Sequence, residues 1–310
     1  MTKIGAGLAA RESVWRPGRP VDVRRTLGTL VRGPRDPAHR TSVEGMFWRA
    51  ALTPHGPATL ALRVPALGEV HAAAWGPGAE WALAGVPDLL GGRDDPASFQ
   101  PRHPLLRETH RRNPGLRVPR TGLVLDALVP AVLEQKVTGQ QAHQAWRFLL
   151  RRYGTEAPGP APAGMRVPPP PETLLAVPTW DWHRAGVDLR RQRAIRAAAT
   201  VAGRLEECGG LSPQDALARL RVLPGVGVWT AAEVAQRALG DADAVSVGDF
   251  HIPALVGWAL LGRPLDDDGM LDLLEVYRPH RHRAVRLVEV SGVGKPRFGP
   301  RFSPIDYRRM

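Results

Sequence analysis

The chain has 310 residues, 43% of them apolar and 23% charged, a folded globular composition long enough for two domains or one large one. Its 42 Lys+Arg against 30 Asp+Glu give a formal charge of +12 at pH 7; this points to a polyanionic partner, most simply nucleic acid, unless the excess is merely spread over the surface. One cysteine, Cys208, excludes an internal disulfide framework, a cysteine-based zinc site and a four-cysteine iron–sulfur cluster, and no apolar run approaches the roughly 18 residues of a membrane span.

The stretch from Met1 to Arg11 has only a short, weak apolar run, so no secretory signal and a cytoplasmic location are expected. Residues 1–20 read as a loose basic leader. From 21 to 99 short apolar stretches broken by turn residues predict a small antiparallel α+β domain. Its strands are expected around Gly45–Ala50, Ala58–Val64 and Val70–Trp75, with a short helix from Trp81 to Leu90. Residues 100–120 read as a basic linker, with six arginines against Glu108.

Beyond the linker the period becomes helical, and 121–291 is expected to form an all-helical domain. Val124–Gln135 is a helix offset at Pro130. Thr138-Gly139-Gln140-Gln141 is a capping box, opening a helix whose apolar face carries Ala142, Ala145, Trp146, Leu149 and Leu150. Residues 155–171, rich in Pro and Gly, read as an extended surface insertion. Further helices are predicted over 188–207, 213–221, 228–239, 250–261, 268–277 and 280–290, with Ser212-Pro213 as a start signal. Residues 292–310 read as a basic flexible tail.

Between two of these helices lies Leu223-Pro224-Gly225-Val226-Gly227, followed by Val228-Trp229-Thr230. Two glycines two apart make a tight turn that another backbone can approach closely. The first amides of the next helix are unsatisfied and lie at its positive end, a combination suited to a phosphate. An ordinary helix–helix turn would read the same way. Asp249 stands 22 positions after Gly227, beside Gly248 and just before another helical run. An aspartate there is a favoured N-cap, and an N-cap is compatible with a catalytic carboxylate.

Together these residues resemble the helix-hairpin-helix DNA glycosylase superfamily, whose signature is a Leu-Pro-Gly-Val-Gly hairpin followed by an essential aspartate. Within it the likeness is to the alkylpurine (3-methyladenine II) branch. Asn113-Pro114-Gly115-Leu116-Arg117-Val118-Pro119 leading into Leu133-Glu134-Gln135-Lys136-Val137-Thr138 is similar to that branch's linker and the start of its helical domain. So is the small N-terminal sheet domain. The resemblance is specific over 223–249 and looser elsewhere in 21–291.

The resemblance implies a monofunctional DNA glycosylase that flips an alkylated purine out of double-stranded DNA and hydrolyses its N-glycosidic bond in base-excision repair. Asp249 would stabilise the oxocarbenium-like sugar and align or deprotonate water. Trp229 would present an aromatic face to the cationic base, with Phe250, Trp258 and Tyr277 as further pocket candidates, each of which also fits a helix core. Leu223, Gly225, Val226, Gly227 and Thr230, with Gln135 and Lys136, would form the DNA-binding set. Lys136 takes either the duplex-plugging position or a phosphate contact, and Gln135 is alternatively a polar helix end. Lyase-active relatives place a lysine where this chain has Trp229, and no lysine lies between Lys136 and Lys295, so no Schiff-base chemistry is expected.

No cofactor and no side-chain metal site are expected, although the family can hold a monovalent cation on the hairpin carbonyls. His280-Arg281-His282-Arg283 reads as a phosphate-facing helix start or as solvated surface, and Asp266-Asp267-Asp268 as a dipole-complementing helix start. A monomer, nucleoid-associated when bound to DNA, is expected. Two rival functions remain: a catalytically silent helix-hairpin-helix DNA-binding protein, and a glycosylase for deaminated or oxidised bases.

Overall fold

The computed structural model describes residues 10–294. Its first layer is a five-stranded antiparallel sheet of β1 (Arg11–Trp15), β2 (His39–Thr41), β3 (Phe47–Thr53), β4 (Gly56–Ala66) and β5 (Glu69–Trp75), in the order β1-β5-β4-β3-β2. The short helices α1 (Val23–Leu27), α2 (Ala79–Ala84) and α3 (Val86–Leu89) accompany it. On β5, Val70, Ala72 and Ala74 alternate with half-exposed neighbours, and with Leu60 and Leu62 they pack against Leu27, Val86 and Leu89. Strand β3 breaks this alternation because both of its faces are covered.

The second cover is the Pro-rich stretch. It folds back as a small hairpin, β6 (Thr155–Glu156) and β7 (Arg166–Val167), and buries Ala157, Met165 and Val167 against Ala50, Trp48 and Leu52. The Arg166 amide donates to the Pro37 carbonyl at 2.8 Å. The expected surface insertion is therefore a lid on the sheet. Removing a side chain such as Met165 from water contributes about 1.5–3 kcal/mol, which is what holds it there. The expected leader is corrected too, since residues 11–15 are the edge strand β1, paired with β5 from Arg11↔Ala74 to Trp15↔Val70. Residues 1–9, and the expected tail from 295 onward, lie outside the described residues.

The helical part begins with α4 (Pro104–Arg112), inside the expected linker. Its arginines face solvent, but Leu106 and Thr109, one turn apart, are buried. Helix α5 (Val124–Leu133) is central and buried along nearly its whole length, and Glu206 caps it from a distance, accepting from the Val124 and Leu125 amides at 2.7 and 2.9 Å. Helix α6 (Gly139–Tyr153) starts with the expected capping box. Two short unexpected helices follow, α7 (Pro171–Ala176) and α8 (Thr179–Arg184), each preceded by a proline. Then come α9 (Leu189–Thr200), α10 (Ala202–Glu206), α11 (Pro213–Arg221), α12 (Val228–Val234) continuing into a π-turn over Ala235–Leu239, α13 (Ile252–Leu261), α14 (Asp267–Leu274) and α15 (Arg281–Val290).

These helices build two cores. One joins α5, α6, α9 and α12 through residues such as Leu128, Leu149, Ile195 and Val234. The other joins α4, α13, α14 and α15 through Leu106, Val256, Met270 and Val285. The sheet domain is tied to the first core by Asp36, which is fully buried. Its carboxylate accepts from Trp146 Nε1 on α6 at 2.9 Å and from the Arg32 and Ala38 amides, and lies 2.9 Å from His39 Nδ1. Among the described residues no helix is long and apolar enough to cross a membrane.

Candidate active site

The turn between α11 and α12 is built as its residue types require. Gly225 has φ +83°, and a Cβ there would stand 2.8 Å from the Ala194 Cβ on α9. Val226 is buried beneath the turn and Leu223 packs against the first core. Gly227 is different: its φ of −91° is open to any residue, and a Cβ would meet nothing within 4 Å. A glycine here leaves open space beside the first α12 amides. Arg190 and Arg193 on α9 and Arg221 on α11 are exposed on the elements flanking the turn.

Gln135 and Lys136 lie in the α5–α6 loop. Gln135 Nε2 donates to the Gly225 carbonyl and to Thr230 Oγ1, both at 2.8 Å, so its side chain clamps the hairpin. Thr230, only 2% exposed, is part of this internal clamp and not a surface contact. Lys136 is exposed at the tip with φ +53°, a left-handed conformation uncommon for a residue with a Cβ. The clamp seats that strained tip beside the hairpin.

Asp249 is oriented by three N–H donors. Its Oδ1 accepts from the His251 amide at 2.7 Å and the Ile252 amide at 2.9 Å, in the loop that leads into α13. Its Oδ2 accepts from Trp229 Nε1 at 2.9 Å. The loop itself is pinned by the Gly248 amide donating to Asp267 Oδ1 at 2.9 Å, with Asp266 capping α14 through the Gly269 amide. Asp249 is therefore not the N-cap expected of it, since α13 starts at Ile252 with His251 at the cap position, and its carboxylate has more lone pairs than these three donors use.

Asp249 lines a cavity of about 290 Å³, at the lower edge of the usual size for ligand sites, where the two helical cores meet the sheet domain. Its other walls include Thr29, Glu233, Gln236, Arg237, Ser246 and His282. All of these but His282 are joined in one network. Gln236 Nε2 donates to the Ala244 carbonyl at 2.8 Å and to Ser246 Oγ at 2.9 Å; Ser246 Oγ donates to Glu233 Oε1 at 2.6 Å. Arg237 pairs with Glu233 Oε2 at 2.8 Å and donates through Nε to the Thr29 carbonyl at 3.0 Å. Gln236 and Arg237 stand on the π-turn, a backbone irregularity that recurs at functional sites. Burial pushes the His282 imidazole well below its ordinary pKa, and Arg286 and Arg237 act in the same direction, so the ring is neutral.

The four aromatic residues expected at the base lie outside the lining of this cavity. Trp229 does not line the cavity; its indole positions Asp249. Phe250 is 77% exposed, its ring edge-on to His251. Trp258 is half-buried on α13 away from the lining, and Tyr277, 5% exposed, sits in the second core against Phe99. No Trp, Tyr or Phe is among the cavity's lining residues. The His280–Arg283 stretch is likewise neither solvated nor free for phosphate. His280, His282 and Arg283 are buried, Arg283 pairs with Asp94, and Arg281 pairs with Asp243 at 2.7 Å.

Sequence reasoning missed Glu233, Gln236, Arg237, Ser246 and His282. A signal was present: Glu233, Gln236 and Arg237 interrupt the otherwise apolar run 231–238, with Glu233 and Arg237 spaced i,i+4, and charged residues on such a run need a reason to be buried.

No protein-family model matches the chain. Over 151 residues it is 36% identical to the probable bifunctional transcriptional activator/DNA repair enzyme AlkA of Mycobacterium tuberculosis, a match covering 48% of this chain and 30% of that protein. The chain thus spans less than a third of the length of the curated relatives it matches. Among solved structures it superposes on a 3-methyladenine DNA glycosylase from Archaeoglobus fulgidus with a TM-score of 0.73 at 16% identity, covering 91% of this chain and 98% of that one. It also superposes on the 8-oxoguanine glycosylase/lyase of Clostridium acetobutylicum with a TM-score of 0.70 at 12% identity, covering 93% and 99%. These superpositions show the fold, and the chain has the fold of the helix-hairpin-helix DNA glycosylases.

Proposed function

We propose that the chain is a monofunctional DNA glycosylase that releases alkylated purines, of the 3-methyladenine type, from double-stranded DNA during base-excision repair. The observation that carries this reading is the placement of Asp249, held by two backbone amides and the Trp229 indole at the rim of a base-sized cavity. The DNA-repair relative and the 3-methyladenine glycosylase of the same fold support it.

A base in a duplex is out of reach, so the nucleotide is everted. The α12 amides and the arginines around the hairpin hold the backbone, contacts that position without reading sequence. Lys136, projecting at the neighbouring tip, enters the gap or meets a phosphate. As the C1′–N bond lengthens, its electron pair goes to the base and positive charge develops on the sugar, facing the Asp249 carboxylate. Water then adds to C1′ and gives up its proton to the Asp249 carboxylate, which passes it on to solvent, leaving an abasic site and free base. An alkylated purine departs as a neutral molecule, so no general acid is needed. In place of aromatic faces, the cation meets the Asp249 carboxylate. No lysine amine stands on α12, which supports hydrolysis without strand cleavage.

The test is incubation with methylated genomic DNA and chromatographic identification of released bases. Free methylpurines and intact abasic sites are expected. DNA binding without release of any base would leave the silent DNA-binding protein as the reading.

A further inference from the structure

The cavity behind Asp249 carries more chemistry than bond cleavage uses. Asp249 sits at its rim, but the Glu233–Ser246–Gln236–Arg237 network and His282 line the interior and touch nothing that cleaves the bond. Glu233 is nearly buried and is fixed on both oxygens, Oε1 by Ser246 and Oε2 by Arg237. Each oxygen keeps a further lone pair, so the carboxylate presents two adjacent acceptor sites held in one plane.

Resting on the glycosylase reading above, we propose that Glu233 reads the Watson–Crick edge of the everted base and selects guanine-derived lesions. A guanine edge offers two adjacent donors, N1–H and the 2-amino group, which match two carboxylate oxygens in a bidentate pair. An adenine edge offers one amino donor beside the N1 lone pair, which would face a carboxylate oxygen, so among alkylated purines 3-methyladenine is released but is the poorer substrate. Hypoxanthine offers N1–H alone. A site built on hydrogen bonds rejects a base lacking them far better than an apolar slot does. His282 complements this choice: a neutral imidazole supplies one N–H donor, the kind a guanine O6 accepts. Alkylation at N7 or oxidation at C8 leaves the donor edge intact, so 7-methylguanine and 8-oxoguanine both belong to the class.

The test measures release of 7-methylguanine and 3-methyladenine from methylated DNA, and of 8-oxoguanine and hypoxanthine from single-lesion duplexes, each divided by its uncatalysed rate. The expected result is at least a tenfold preference for the guanine-edge bases, collapsing towards unity in Glu233→Gln. Thermal melting and binding to an abasic duplex report whether that variant is folded. If it is not, the wild-type ratio alone decides. An equal or greater enhancement for the adenine-derived bases and hypoxanthine would overturn the role of Glu233 while leaving alkylpurine excision standing. So would a ratio unchanged in the folded variant. Release of 8-oxoguanine alone would overturn the alkylpurine reading and keep the guanine-edge pocket, and release of no base would overturn both.

Discussion

Asp249→Asn is the sharpest perturbation of the proposed chemistry. The amide keeps the shape of the carboxylate, and its oxygen still accepts from the His251 and Ile252 amides. Its NH₂ group is then turned toward Trp229 Nε1–H, donor against donor, where the native pair is 2.9 Å apart. Losing that bond costs about 1–3 kcal/mol locally, visible as a lower melting temperature. The larger effect is on rate. A positive charge on the sugar about 4 Å from a carboxylate gains about 4 kcal/mol at an effective dielectric near 20. Removing it slows bond cleavage by about 10³-fold. The assay is single-turnover base release from methylated duplex with enzyme in excess, run beside equilibrium binding to an abasic duplex. Binding should hold within about threefold, since the hairpin is untouched. Cleavage within tenfold of wild type, or a loss of rate explained wholly by weaker binding, would refute the assignment of Asp249.

Further outcomes follow from the same geometry. Gly227→Asp meets open space at an N-cap position that favours Asp, so melting should be unchanged or raised. Affinity for every duplex should nevertheless fall alike, with a salt slope about 0.9 shallower for each phosphate no longer held, measured by titration at several salt concentrations. Gly225→Ala forces a Cβ onto Ala194 at positive φ, and should cost about 2–4 kcal/mol in denaturant unfolding; a loss under 0.5 kcal/mol would contradict the packing. Burial raises the Asp36 carboxyl, but His39 beside it and the hydrogen bonds from Arg32 and Ala38 outweigh this and bring its pKa down to about 2. The depressed value means that its stabilisation is complete above about pH 4 and lost as pH falls towards 2, about 2 kcal/mol in all. Asp36→Asn should flatten the wild-type stability curve in that window, and parallel curves would exclude the role. Borohydride added during turnover should trap no enzyme–DNA adduct, because no amine nucleophile stands on α12; a trapped band on a denaturing gel would reverse the monofunctional reading.

The local signals in this chain were legible without a structure because their physics is local. The Thr138 box, the Ser212 cap and the Gly225 turn each depend on residues a few positions apart, and all three stand where the spacing predicts. Asp249 was also conspicuous, a carboxylate beside a glycine at a helix start. Its meaning came from pairs that no spacing announces: Trp229, 20 positions earlier, donates to it, and Asp267, 18 positions later, pins its loop. The same limit explains the arginine-rich linker that hides α4, and the Pro-rich insertion that closes the sheet. In both, a few apolar residues decide the structure by meeting partners far away in the chain.

The cavity shows the division most clearly. Periodicity put Tyr277 and Trp258 in helices but carried no information on which helix faces meet. Folding turned Tyr277 into the second core and brought Glu233, Ser246 and His282 together around a space beside Asp249. The amino-acid sequence by itself determined the longer helices, the Thr138 and Ser212 caps and the hairpin, because hydrogen bonds within one turn set them. Only the tertiary structure decided that the walls of the pocket are polar, because burial is a property of surfaces joined across the whole chain.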